Sequence, residues 1–197
     1  MTTWSKVKKK AMFWVYVLMI LVMFLLPFFS VESYSIIANT TSHLGAQQAP
    51  HAWVMNVVFV LLGVATIIRV SSLFNNYKFT TTMLIVFGLG LIMTALFRHR
   101  PIIEGVEFDL LQDQLHSLFA SVVGFSFVMS CVTLLFENTT KQVKVMAIVL
   151  GVFASLLSWM MFMFPSIMGI LQRIMFLVSF YWIMRLSDHL DKDQVDI

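Results

Sequence analysis

Four ionisable side chains fall at or inside the ends of very apolar segments: Asp109, Asp113, His116 and Arg173. A charge placed in hydrocarbon costs about 3 kcal/mol on insertion scales, so such residues in a membrane chain are functional candidates by default. Carboxylates and an imidazole can shape a polar ligand site or ligate a metal, and an arginine can hold an anionic group or a carboxylate. Spacing sharpens the case. Asp109, Asp113, His116, Ala120 and Gly124 recur at steps of four, three, four and four, with Ser117 and Ser121 alongside, which sets them on one helix face. Such a small, polar stripe belongs against a neighbouring helix or a cavity. Arg173 follows Gly169 by four and shares its face, at a depth similar to Asp109 and Asp113. A desolvated pair of Arg173 with one of these carboxylates is the expectation, and snorkelling to a lipid phosphate is the alternative. Asp113 has a second reading as the N-cap of its helix, worth about 1 kcal/mol.

More polar groups precede the second apolar run. Thr40, Thr41, Ser42 and His43 form a knot before Leu44-Gly45-Ala46, His51 precedes the run, Asn56 sits one turn within it, and His99 ends the third run. Four of the five histidines therefore map to one side of the membrane. Imidazole and carboxylate are zinc ligands, and His43, Asp113 and His116 are the set that could hold that metal for hydrolysis. No His-x-x-x-His or His-Glu-x-x-His pair supports it, so the metal reading rests on topology alone. Cys131 stands alone in an apolar segment and offers neither a disulfide nor a thiol pair.

The elements that position these residues are membrane helices. Hydrophobic residues make up 59% of the chain, charged ones 12%, and mean hydropathy is +0.88, more apolar surface than a soluble domain of this length can cover. Spans of about 20 residues are expected over Ala11–Val31, Ala52–Val70, Phe79–Phe97, Asp113–Phe136, Val145–Phe164 and Ser166–Leu186, the last two parted by Pro165. The first is read as a retained helix, being too long for a signal-peptide core. The fold class is thus all-α, a polytopic membrane protein of six helices over residues 11–187, with a basic leader (1–10) and an acidic, solvated tail (188–197). Lys6, Lys8, Lys9, Lys10, Arg69, Lys78, Lys141, Lys144, Arg185 and Lys192 gather on the side of both ends. The positive-inside rule then gives N-in, C-in in a plasma membrane, and the net charge of +3 signals orientation, with no nucleic-acid partner. Trp4, Trp14, Trp53, Tyr77, Tyr181 and Trp182 read as interface anchors. Gly88-Leu89-Gly90 reads as a close helix crossing.

These residues carry a resemblance. Ser42-His43-Leu44-Gly45-Ala46 resembles the first-loop motif of a bacterial membrane family catalogued as domain of unknown function 998, as do Asn56, Phe59 and Gly63 in the next helix. Asp113-Gln114-Leu115-His116-Ser117-Leu118-Phe119-Ala120 resembles its fourth-helix Asp/His motif, and Gly169-Ile170-Leu171-Gln172-Arg173-Ile174 its last-helix Gly-x-x-x-Arg motif. The resemblance runs from about residue 11 to 187. It implies six helices in a bacterial plasma membrane and no assigned activity, with Ser42, His43, Asp113, His116 and Arg173 as the family's polar positions.

Three functions compete. One is a polar pocket on the outer face that binds or moves a lipid headgroup or small polar ligand, with Arg173 meeting an anionic group and Ser42, His43, Asp109, Asp113 and His116 shaping the site. Another is an intramembrane metal-dependent hydrolase of a lipid-like substrate, similar in style to the ceramidase and adiponectin-receptor superfamily but lacking its seventh helix and last-helix histidine pair. The third is a structural or accessory subunit. Whether the chain is an enzyme, which ligand it takes and its oligomeric state stay open at this point.

Overall fold

A computed structural model describes residues 3–103 and 105–193, and among them every regular element is helical. The elements are α1 (Thr3–Leu25), α2 (Thr41–Leu44), α3 (Ala52–Val70), α4 (Lys78–Leu96), α5 (Leu110–Leu134), α6 (Lys141–Met163) and α7 (Met168–Asp193). All but the four-residue α2 are long and apolar enough to cross a membrane. Helices suit that environment because each closes its own backbone hydrogen bonds. Short 3₁₀ turns follow α1 at Leu26–Phe29, follow α3 at Ser71–Leu73 and precede α7 at Pro165–Ile167.

The six long helices close a ring in the order α1, α3, α4, α5, α6, α7, with α7 returning to α1. The broadest interfaces are α4–α5 and α3–α4. Small residues explain the α3–α4 approach: a Cβ on Gly63 would collide with the Gly88 carbonyl, and one on Gly88 would lie 2.8 Å from the Gly63 carbonyl. Inside the ring an aromatic chain runs from Phe59 to Phe176 (ring centroids 6.0 Å apart), Phe180, Phe87 and Phe127, joining α3, α7, α4 and α5.

One end of the ring carries the start of α1 and the end of α7; the opposite end is called distal here. At the first end Asp188 bonds Arg69 at 2.9 Å and Lys9 at 2.8 Å, tying α7 to α3 and α1. These bonds correct the expected boundary near Leu186. The helix continues to Asp193 because Asp188 is an internal anchor and not part of a solvated tail. Likewise α1 begins at Thr3, so the basic leader is its first turns. Trp14, Trp53 and Tyr181 are exposed at the helix surface, whereas Tyr77 and Trp182 are buried and belong to the core. The side chains of Trp4, Lys6 and Lys192, and the tail residues 194–197, lie outside the described residues.

The glycines predict opposite mutational signs. Gly63→Val should lower the unfolding midpoint of the detergent-purified protein, by about 1–3 kcal/mol of overpacking. Gly124→Ala, where an added Cβ meets nothing within 4 Å, should raise stability by up to about 1 kcal/mol through helix propensity. Equal effects would contradict the packing described.

Candidate functional site

The distal site begins with a proline. Pro27 has no N–H, so the Met23 carbonyl one turn earlier loses its helical donor. The Arg173 Nε supplies one, at 3.4 Å from Met23 O. The rest of that guanidinium grips the first loop: Nη1 donates to the carbonyls of Ile36, Asn39 and Gly169, each at 2.9 Å, and Nη2 to the Tyr34 hydroxyl at 2.7 Å. Arg173 is only 2% exposed. Its backbone approach depends on Gly169, where a Cβ would strike the Asn39 carbonyl and sit 2.5 Å from that of Ile36. The expected Arg173–Asp109 or Arg173–Asp113 pair is therefore corrected: the partners are loop carbonyls and a phenol. A fork of five donors in a dry site can be satisfied by converging carbonyls as well as by a carboxylate.

From Arg173 a polar belt crosses the distal end. The Tyr34 hydroxyl, its phenol pushed above the ordinary range chiefly by burial, donates to the Thr40 carbonyl at 2.9 Å. Thr41 N–H and hydroxyl both donate to Gln172 Oε1, at 2.8 and 2.7 Å. His43 Nδ1 accepts from Thr40 N–H at 3.1 Å, which places its own proton on Nε2. The His43 ring lies 4.6 Å from that of His99, which in turn stands edge-on to His116 at 5.1 Å. His99 Nδ1 is 3.7 Å from Asp113 Oδ1, and the same carboxylate oxygen accepts from Arg100 N–H at 2.8 Å. Gln47 staples the two long loops together, donating to the carbonyls of Arg98 and Asp109 and accepting from Asp109 N–H.

His116 closes the belt as a helix cap. Its Nδ1 lies 2.9 Å from Thr94 O and 2.8 Å from Phe97 O, carbonyls left over where α4 ends. Two acceptors require a donor, so His116 carries its proton on Nδ1. Its Nε2 lone pair is buried without a hydrogen-bond partner among the described residues. Asp109, and not Asp113, is the N-cap of α5: its side chain accepts from Gln112 N–H at 3.2 Å, and the bonds from Gln112 hold the carboxyl below its usual range.

So the structure places His43, Asp113 and His116 around His99. It keeps Arg173 separate, joined to them through Tyr34 and Thr40. Among the described residues no three of His, Cys, Asp and Glu are disposed to hold a metal ion. For His43 a reason is visible: Nδ1 accepts from Thr40 N–H, so the remaining ring nitrogen carries the proton and offers no lone pair. Sequence reading missed Tyr34, Gln47 and Gln172, all loop or helix residues with no periodic signal; His99 was noted only as a polar end.

Below the belt lies a partly open cavity of about 550 Å³ walled by the aromatic chain and by α5, α6 and α7. Its polar end carries Ser42, Thr94 and Gln172. The stripe residues Ala120, Ser121 and Gly124 line it too, so the α5 stripe faces both the belt and the cavity. Thr94, Ser121, Ser155 and Ser158 return their hydroxyls to carbonyls one turn back.

The family model described as "Protein of unknown function (DUF998)" matches residues 14–187. No curated protein and no solved structure matches the chain.

Two outcomes test this geometry. Arg173→Lys cannot reproduce the fork and should lose at least about 3 kcal/mol of stability, with faster hydrogen exchange at residues 34–41; unchanged exchange there would refute the clamp. Burial first, then the nearby His99 and Arg100, pushes the His43 imidazole from 6.5 down to about 3. The unfolded chain thus binds an extra proton below pH 6.5, so stability is complete above that value. It should fall by up to about 1.4 kcal/mol per pH unit as pH drops toward 3. His43→Asn should flatten that slope in acid unfolding curves.

Proposed function

Because the chain belongs to the DUF998 family, which carries no assigned activity, we propose from the site itself that it binds or moves a small lipid-like or polar ligand in the cavity beneath the first loop. One observation carries the reading: a partly open cavity of about 550 Å³ among the apolar helices α3 to α7, capped at one end by hydrogen-bonding side chains. Pockets of this size, mostly apolar with a few convergent polar groups, suit small-molecule ligands.

Within this proposal the expected roles shift. Ser42 and Gln172 meet the ligand, whereas Arg173, His43 and Gln47 hold the roof that positions them. Asp113, His99 and His116 anchor that roof to α4 and α5, and Asp109 shapes the start of α5. Arg173 has its donors turned to carbonyls and Tyr34, which argues against its reaching an anionic headgroup. The basic side chains near the end opposite the site, among them Lys9 and Lys141, support a distal end that faces outward from a plasma membrane.

Gly124→Phe projects a ring into open space in the cavity wall. Mass spectrometry of molecules extracted from the purified wild type should show one species enriched over bulk membrane lipid. The same species should be depleted in the Gly124→Phe protein with no fall in melting temperature. Identical extracts from both would defeat the proposal.

A further inference from the structure

The cavity is not sealed on the side of α5 and α6. In the half of the bundle away from the distal end these helices touch closely: a Cβ on Gly151 would lie 3.3 Å from Cys131 Cβ. Toward the distal end they part. The Cβ position of Gly124 meets nothing within 4 Å, and Ser121, Phe125, Ser155 and Ser158, all lining the cavity, are exposed. Exposed surface at this level of an apolar helix faces lipid. A second depression of about 410 Å³ continues from the opening along α5 and α6. It shares Val128 and Ser155 with the cavity and runs past Val132 and Ile148 to Leu135. From Ser121 to Leu135 the path follows about 20 Å of helix.

The polar end has an equally specific chemistry. Every polar residue lining the cavity is a serine, a threonine or Gln172; none carries a charge. Gln172 uses Oε1 for Thr41, and its amide N–H₂ has no partner within the described residues; the Ser42 hydroxyl likewise has none. The one guanidinium nearby is committed to the loop. A carboxylate or phosphate in this site would leave a desolvated charge unpaired, which is strongly unfavourable. A hydroxyl, ester or amide would find donors and acceptors together.

Resting on the ligand-binding reading above, we infer that the ligand is a neutral single-chain amphiphile from the membrane: its uncharged head bonds Gln172 and Ser42, and its tail leaves through the α5–α6 opening along the groove to Leu135. The occupant is a lipid with one long chain and a hydroxyl- or amide-type head, taken up sideways from the bilayer.

Radiolabelled hexadecanol and palmitate, titrated at pH 8 onto the whole protein in neutral-lipid nanodiscs, test this. Hexadecanol should bind saturably and at least about tenfold more tightly than ionised palmitate. Gly124→Phe should weaken it by a similar factor. Val152→Trp, at a lipid-facing position of the groove, should weaken hexadecanol while leaving octanol unaffected. Equal or tighter palmitate binding would overturn the neutral head, and unchanged hexadecanol binding in Val152→Trp would overturn the tail path; in both cases the cavity reading survives. Saturable binding of neither probe, with identical extracts from wild type and Gly124→Phe, would overturn both readings.

Discussion

A buried guanidinium must find compensation, and in this protein Arg173 finds it in the backbone of the first loop. That single interaction sets much of the distal half. By collecting the carbonyls of Ile36, Asn39 and Gly169, it bends residues 34–41 inward over the ring. The loop then lies where Thr41 reaches Gln172 and His43 reaches the histidine cluster. The charge is retained despite its solvation cost because converging dipoles replace water's role around it. Pro27 takes part by freeing the Met23 carbonyl that Nε meets. A kink residue, a glycine and an arginine thus act as one device.

The second constraint is the unequal contact of α5 with its two neighbours. Against α4 it packs closely, with Val123 filling the space beside Gly90 and His116 capping the α4 terminus. Against α6 it touches in one half and diverges in the other. The polar stripe of α5 therefore does two jobs along its length: its first turns bind protein loops, and its middle, reduced to Ala120, Ser121 and Gly124, leaves room. Small residues that elsewhere in membrane proteins allow helices to meet here border a void.

How much of this could be read from the residues alone differs by level. The spans were legible because the bilayer imposes a length and a composition; Ala52–Val70 agrees at both ends. Boundaries failed where a polar side chain extends a helix: Asp109 caps α5 ahead of Asp113, and Asp188 carries α7 onward. The site was half legible. Helical spacing grouped Asp113, His116 and the small residues below them, since a helix converts spacing into position. Loops do no such thing, so Tyr34, Gln47 and the place of His99 between two other rings left no pattern. The partner of Arg173 was missed for a related reason: backbone carbonyls are present at every position, and no residue type announces them.

The clamp joins the last spanning helix to a loop that follows the first. A ribosome delivers these pieces in order, so the loop carbonyls enter the membrane rim long before Arg173 is made. Until α7 arrives, residues 34–41 have no cation to fold around, and Met23 keeps a bare carbonyl. Synthesis of α7 is then also the step that supplies the cation around which residues 34–41 fold.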